Sequence, residues 1–137
     1  YWAFSLYSNH AGNTPVATRT EVAHYDVHAG QRRVPEIPAV PYLDVLATVD
    51  TRRRDLALFV VNREWKGAIP TAIQLQDFTP SPEAKVLTLT ADSILTRNDE
   101  EHPETVRPVA STLEVPDSSF RYTFPPASLT VLIFQPR

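Results

Sequence analysis

Cysteine and methionine are both absent from this 137-residue sequence, and glycine is scarce. Without cysteine there is no disulfide framework and no thiolate for nucleophilic or redox chemistry. Only 3 glycines stand against 13 prolines, and proline lacks the amide hydrogen that helices and sheet ladders require. This ratio favours short strands joined by stiff turns. Because the chain opens on Tyr1 without a methionine, we expect the native start, and any signal peptide, to lie upstream.

An excess of positive charge and long apolar runs are missing as well. The formal net charge is −3 and the sequence pI is about 5.8, which argues against a surface for nucleic acid or an anionic membrane. No apolar run approaches the roughly 20 residues of a membrane-spanning helix. The length is that of one domain that can bury a core of its own.

The pattern of apolar residues predicts one short helix followed by strands. Tyr1, Phe4 and Tyr7 have helical spacing, and Gly12 is the expected C-cap. Residues 14–41 are less informative: one strand is expected in VATRTEVAHYD, and GQRRVPEIPAVP is a connector rich in proline. Beyond it, seven further strands are predicted from alternation or continuous apolar runs. They lie in YLDVLATVD, LALFVV, AIPTAIQLQDF, KVLTLTAD, VRPVASTLEV, SFRYTF and SLTVLIF, the first two being joined by the turn DTRRRD.

Strands of this kind predict an all-β fold, a two-sheet antiparallel β-sandwich preceded by one short N-terminal helix. In the run Leu56–Val61 both faces are apolar, which is typical of a central strand. We therefore expect this run to lie in the middle of a sheet.

Glu64 is the first candidate for a catalytic residue, because Asn62-Arg63-Glu64 follows the buried strand abruptly. A glycosidase of the usual kind needs two carboxylates, roughly 5–9.5 Å apart. Nothing in the sequence places a second carboxylate opposite Glu64. The alternative is that Glu64 only marks the point where a core strand reaches water, and we favour that interpretation.

Two other clusters have residue types that bind metals. His24, Asp26 and His28 alternate, so a straight strand would place them on one face, but a fourth ligand is not evident. The stretch Asn98–Glu104 gathers four carboxylates around His102, yet it lacks the glycine and spacing of an EF-hand loop. We interpret both as exposed polar segments and predict no metal site.

The remaining chemical motifs are absent. Arg52–Arg54 is the one basic run, at an expected hairpin turn, where its charges stay solvated. The sequence contains no glycine-rich phosphate loop and no serine in a nucleophile elbow. The residues therefore indicate no cofactor, no catalytic residue and no defined substrate-binding residue.

Five stretches, taken together and in order, resemble the C-terminus of family 51 α-L-arabinofuranosidases. The most specific parts are Asn62-Arg63, the run from Asn98 to Pro108, and the segment Pro125–Val131. The five stretches are AFSLYSNHAG, VPYLDVLATVD, LALFVVNRE, LTRNDEEHPETVRPV and FPPASLTVLIF.

This resemblance implies an enzyme with a (β/α)8 barrel followed by a β-sandwich of jelly-roll type. The barrel of such enzymes contains both catalytic glutamates and removes terminal arabinofuranosyl groups with retention of configuration. Residues 1–13 resemble the last helix of that barrel, and residues 14–137 resemble the sandwich. The barrel itself is missing, so no catalytic residue is carried over to this chain, and Glu64 matches the end of a sandwich strand.

The resemblance also implies partners. These are the missing barrel and strands from the N-terminus of the same enzyme, a homo-oligomer, and an arabinose-containing carbohydrate bound by the parent enzyme. Without the N-terminal strands, the sandwich is expected to have an open edge, which is prone to pair with another chain. The bacterial-type resemblance implies a cytoplasmic location, although the start at Tyr1 leaves secretion open.

Two other functions remain open. The chain could be a stand-alone carbohydrate-binding module, for which Trp65 is the one well-exposed aromatic candidate. It could also be an interaction domain unrelated to sugars, in which case the five matching stretches are coincidental. A β-sandwich alone does not decide between these functions, and the substrate preference of a parent enzyme is not encoded in this part.

Overall fold

The computed structural model describes residues 1–29 and 33–137. Part of the predicted connector, residues 30–32, lies outside this description. Within the described residues, one helix is followed by short strands. The elements are α1 (Trp2–His10), β1 (Thr14–Val16), β2 (His24–Val27), β3 (Ile37–Pro41), β4 (Leu43–Val49), β5 (Leu56–Asn62), β6 (Ile69–Gln74), β7 (Pro80–Leu89), β8 (Val109–Glu114), β9 (Ser119–Phe124) and β10 (Ser128–Pro136).

The strands form one large antiparallel sheet and two small ones. The large sheet has the order β1-β4-β5-β10-β7-β8, while β2 pairs with β3 and β6 pairs with β9. Every pairing is antiparallel, and the sheets do not close into a barrel. The predicted antiparallel β-sandwich is therefore confirmed. Across the described residues, no helix is long and apolar enough to cross a membrane.

The main core lies between the large sheet and the β6–β9 sheet. Even-numbered residues of β5 and β10, such as Leu58 and Leu132, face this core because side chains of a strand alternate between its two faces. Phe124 of β9 meets them from the second layer and is 1% exposed. The predicted inward face of β4 and that of β9 are both confirmed.

A second core lies on the opposite face of the large sheet, beneath helix α1. Leu6 is the fully buried residue of the helix, and Tyr7 stacks on Phe59 of β5 with ring centroids 4.6 Å apart. Because β5 is buried on both faces and lies between β4 and β10, its prediction as a central strand is confirmed.

The predictions for the first 41 residues needed correction. The helix ends at His10 with Ala11 as its C-cap in extended backbone, so Gly12 is not the cap. Instead of one strand in residues 16–26, there are two, β1 and β2, separated by a segment without regular structure. The strand β3 was not predicted, because prolines at both Pro38 and Pro41 argue against a strand unless it lies at an edge.

Candidate functional site

The end of β5 is organised by the buried side chain of Asn62, which is 1% exposed. Its Nδ2 donates hydrogen bonds to the carbonyl oxygens of Pro125 at 2.8 Å, Phe124 at 3.2 Å and Gly67 at 3.3 Å. Its Oδ1 accepts the N–H of Glu64 at 2.9 Å. The amide therefore fixes both the turn after β5 and the turn after β9.

Glu64 lies in this fixed turn and is half-buried. Its Oε1 accepts the N–H of Lys66 at 2.9 Å, and its backbone oxygen accepts the N–H of Ala127 at 2.8 Å. The carboxylate thus closes the turn between β5 and β6. This position matches the strand end that the sequence suggested.

Trp65 is presented to solvent by the same turn, with 55% of its surface exposed. It is not the one well-exposed aromatic residue that the sequence predicted, because Tyr1 and Phe4 are more exposed. The ammonium group of Lys66 lies 4.8 Å from the centre of its ring, which is within the range of a cation–π interaction. The indole is therefore an exposed aromatic group on a hydrogen-bonded turn.

The residues His24, Asp26 and His28 do not lie along one straight strand. The pairing of β2 with β3 shifts register between Tyr25 and Val27, and Asp26 Oδ1 accepts the N–H of Ala39 at 2.8 Å. The carboxylate thereby supports the irregular backbone of β3, where Ala39 has a φ of 53°.

The acidic stretch Asn98–Glu104 is held by local hydrogen bonds. Asn98 and Val106 exchange two bonds of 2.7 and 2.8 Å between side chain and backbone. Asp99 Oδ1 accepts the N–H groups of Glu101 and His102. Within residues 1–29 and 33–137, no three His, Asp or Glu side chains are grouped as ligands of one metal ion.

The basic run Arg52–Arg54 forms the turn between β4 and β5, and all three residues are exposed. Asp50 Oδ1 accepts the N–H groups of Arg53 at 3.0 Å and Arg52 at 2.9 Å. These backbone bonds lower the pKa of Asp50 below its ordinary value, with the Arg53 guanidinium adding to the effect. The run is a solvated hairpin turn.

A groove of about 430 Å³ lies between helix α1, the second core and the loop after β7. The sequence did not predict it, because three segments that are distant in the chain form its walls. Its lining residues are mostly apolar or carry a hydroxyl group, and none is acidic, basic or a histidine. They are Ala3, Tyr7, Val61, Asn62, Leu89, Thr90, Ala91, Ser93, Ile94, Thr96, Val106, Ala127, Ser128 and Leu129.

The titratable group of the groove is the Tyr7 hydroxyl. Burial raises the pKa of Tyr7, and the negative charge of Asp44 raises it further, so the phenol stays neutral at physiological pH. A groove with neutral, mainly apolar walls suits contact with another apolar surface better than acid–base chemistry.

Comparison with solved structures gives a close match in shape. A crystal structure of α-L-arabinofuranosidase from Thermotoga maritima in complex with arabinose is 30% identical, with a TM-score of 0.89, and covers 98% of this chain. The GH51 enzyme from Thermotoga petrophila RKU-1 is 29% identical, with a TM-score of 0.88 over 97% of this chain. In both cases the chain spans 28% of the length of the relative.

A more distantly related structure shares the fold of this chain. A family 51 α-L-arabinofuranosidase from Bifidobacterium longum is 22% identical, with a TM-score of 0.74, over 98% of this chain and 24% of its own. No protein in the curated set matches the sequence.

The match to the Thermotoga enzymes shows that this domain corresponds to one part of a larger GH51 enzyme. The family described as the α-L-arabinofuranosidase C-terminal domain matches residues 1–128, and the chain belongs to this family.

Proposed function

We propose that the chain is the accessory domain of an enzyme that hydrolyses terminal α-L-arabinofuranosyl groups with retention of configuration. In this proposal the catalytic glutamates lie in a separate barrel, and the domain described here stabilises that barrel without taking part in the chemistry.

The observation that supports the proposal best is the uncovered apolar side of helix α1. Tyr1 is 91% exposed and Phe4 is 78% exposed, although the other side of the helix packs tightly on the sheet. In the loop beside the groove, Ile94 and Leu95 are also exposed. Each 100 Å² of such surface covered by a barrel would contribute about 2.5 kcal/mol.

The two small sheets have open strand edges, which suits pairing with the expected N-terminal strands of the parent enzyme. Among the described residues, the β2–β3 and β6–β9 sheets are not hydrogen-bonded to each other. Unpaired strand edges are open to pairing with further strands. We therefore expect the N-terminal strands to pair with one of the open strand edges of the sandwich.

The first experiment combines intact-mass analysis of the sample with an assay on an aryl α-L-arabinofuranoside. We expect the 15.4 kDa chain alone to release no arabinose and a sample with a larger barrel-bearing partner to release it. Hydrolysis by the chain alone would contradict the proposal and would make Glu64 the first residue to substitute.

A second experiment tests the docking face. Phe4→Asp should leave the unfolding of the isolated chain nearly unchanged, because Phe4 is exposed there, but should destabilise the complete enzyme. Thr123→Asp, on the exposed outer face of β9, is the matched control. Equal effects of Phe4→Asp on both proteins would contradict docking through helix α1.

The second candidate function is binding of an arabinose-containing carbohydrate by the domain itself. The exposed indole of Trp65 on its hydrogen-bonded turn favours it, because sugars stack on exposed aromatic rings. A Trp2→Phe variant leaves Trp65 as the one tryptophan, so its fluorescence can be titrated with arabino-oligosaccharide. A saturable shift supports binding, and no shift up to millimolar ligand contradicts it.

We also propose a cytoplasmic location for the parent enzyme, which fractionation of the source cells tests. Its activity should appear in the cytoplasmic fraction, and recovery in the medium would contradict the proposal.

A further inference from the structure

The turn between β5 and β6 presents two adjacent exposed side chains, those of Trp65 and Lys66. Asn62 fixes both sides of this turn, because its Oδ1 accepts the Glu64 N–H at 2.9 Å and its Nδ2 donates to the Gly67 oxygen at 3.3 Å. Asn62 itself is buried, so the turn is anchored in the core while its tip lies in solvent. The backbone that presents the indole is therefore ordered before a ligand binds, which lowers the entropic cost of binding.

Lys66 supplies a positive charge that is not paired with an acidic group. Its ammonium lies 4.8 Å from the centre of the Trp65 ring, and it forms no salt bridge within residues 1–29 and 33–137. The carboxylate that precedes it in the turn, that of Glu64, accepts the backbone N–H of Lys66 instead. The ammonium can therefore donate hydrogen bonds to an incoming anion.

The other cation of this turn, Arg63, is already engaged. Its Nη2 donates to Asp44 Oδ2 at 2.6 Å, and its Nη1 donates to the Pro41 oxygen at 3.0 Å. The side chain is also half-buried. An anion that approaches the tip of the turn therefore meets Lys66 and not Arg63.

The position of the ammonium determines which sugars suit the indole. A sugar that stacks on the ring face covered by Lys66 displaces the ammonium, and the cation–π contact is lost. A neutral sugar offers only hydroxyl groups in exchange. A uronic acid has a carboxylate at the edge of its ring, which gives the displaced ammonium a charge-assisted hydrogen bond. The flexible four-carbon stem of lysine allows this movement.

We propose that Trp65 and Lys66 form a binding site for carbohydrate that contains a uronic acid, in which the indole stacks on the sugar ring and the ammonium binds its carboxylate. The inference rests on the second candidate function, binding of carbohydrate at Trp65, and specifies the charge of the ligand. The surfaces assigned above to the rest of a parent enzyme are the exposed side of helix α1, the loop beside the groove and the open strand edges. None of them includes this turn.

The test compares two ligands that differ only in charge. One is xylotriose bearing a single glucuronic acid, and the other is the same saccharide after reduction of its carboxyl group to an alcohol. The fluorescence of Trp65 is titrated at low ionic strength in the Trp2→Phe variant, with acetate as a third ligand. An ion pair in solvent is weak, so we expect the acidic saccharide to bind roughly two- to fivefold more tightly than the reduced one, and acetate to cause no saturable shift.

The outcomes separate this inference from the function on which it rests. Equal affinities for the acidic and the reduced saccharide would overturn the inference but leave carbohydrate binding at Trp65 in place. No shift with either saccharide would contradict both. A shift with acetate as large as that with the acidic saccharide would also overturn the inference, because a bare carboxylate would then be sufficient.

Substitutions at position 66 identify the cation. Lys66→Gln removes the charge and should abolish the preference for the acidic saccharide, whereas Lys66→Arg retains the charge and should preserve it. Lys85→Gln removes the charge of an exposed lysine on β7 and is the matched control, with no expected effect. A preference that survives Lys66→Gln would show that another cation binds the carboxylate.

Electrophoresis through a gel that contains glucuronoxylan tests the site in the complete enzyme. We expect the polysaccharide to retard the enzyme, and Trp65→Ala to reduce this retardation. An enzyme that is not retarded, or a retardation that Trp65→Ala leaves unchanged, would overturn the proposal, because the turn would then not bind carbohydrate in the assembled protein.

Discussion

Asn62 and Pro125 are joined by a 2.8 Å hydrogen bond from the side-chain Nδ2 to the backbone oxygen, across 63 positions of sequence. Asn62 ends β5 of the large sheet, while the neighbouring acceptor Phe124 ends β9 of the second layer. One buried amide therefore connects the two layers of the sandwich at this end. Such an amide is costly to leave unpaired because water does not reach it.

We expect Asn62→Asp to lower the free energy of unfolding by about 2–3 kcal/mol. The aspartate has nearly the same shape, but it loses the donor group and directs carboxylate oxygen toward three backbone carbonyls. Urea unfolding of both proteins at pH 7 measures the difference.

The matched control is Asn98→Asp. The Asn98 side chain also bonds to backbone, but it does so in an exposed loop, so we expect a loss below about 1 kcal/mol. If the two substitutions lower the free energy of unfolding equally, burial of the Asn62 amide does not strengthen its contribution to stability.

Gly12 is required by a close approach of two backbone segments. A Cβ atom at this position would collide with the backbone of Val49 and Asp50, and the Gly12 N–H donates to Thr48 Oγ1 at 2.8 Å. We expect Gly12→Ala to destabilise the chain by about 1–3 kcal/mol, as overpacking does in other cores.

Gly67→Ala is the control for this substitution. Its Cβ would meet the flexible Glu64 side chain at 3.5 Å, an ordinary contact, so we expect a change within about 0.5 kcal/mol. Thermal unfolding of both variants checks the pair, and an unchanged midpoint in Gly12→Ala would refute the close-approach argument.

The strands of the second half of the chain could be predicted because their side chains alternate or, as in β10, form a nearly continuous apolar run. In β9, Phe120, Tyr122 and Phe124 all face the main core, as the period of two requires. In the first half, the positive φ of Ala39 and the shifted register opposite Asp26 interrupt the pattern. A bulge is set by tertiary hydrogen bonds, so alternation along one strand does not reveal it.

The environment of Asn62 was only partly predictable. The abrupt change at Asn62-Arg63-Glu64 marked a strand end, but not the role of the amide, because its acceptors belong to residues 124 and 125. The groove beside α1 was missed for the same reason. The role of Gly12 differs from its predicted role as a cap, since the close approach to Val49 is a long-range contact.

His10 should make the stability of the chain depend on pH. Burial lowers the pKa of His10 below its ordinary value of 6.5, and the positive charge of Lys85 lowers it further. The folded state therefore binds a proton less readily than the unfolded state. Stability should fall as the pH drops from 6.5 toward the lower folded pKa, and should be insensitive to His10 below it.

Lys85→Gln should raise the pKa of His10 only part of the way, because burial is the larger cause. NMR titration of the imidazole measures the shift. Lys66→Gln removes the same charge from the turn that presents Trp65 and should leave the His10 titration unchanged. A pKa of His10 that does not respond to Lys85→Gln would show that burial alone is responsible.

Thr130 and Thr48 are both buried threonines of the large sheet, with exposures of 0% and 5%, but only one of them uses its hydroxyl group. Thr48 Oγ1 accepts the Gly12 N–H, whereas Thr130 Oγ1 has no hydrogen-bond partner among the described residues. A buried hydroxyl without a partner costs about 1–3 kcal/mol on a mutational scale. Replacing Thr130 by the isosteric valine removes that cost. Replacing Thr48 by valine instead leaves the N–H of Gly12 without its acceptor.

We therefore expect Thr130→Val to raise the free energy of unfolding by about 1 kcal/mol and Thr48→Val to lower it by about 1 kcal/mol or more. Valine also suits a central strand, so the backbone of β10 should not change. If the pairing of the hydroxyl groups controls stability, urea unfolding will show opposite changes in the free energy of unfolding for the two variants. A loss of stability in Thr130→Val would mean that its hydroxyl has a partner, such as a buried water molecule, and the substitution would then report that bond.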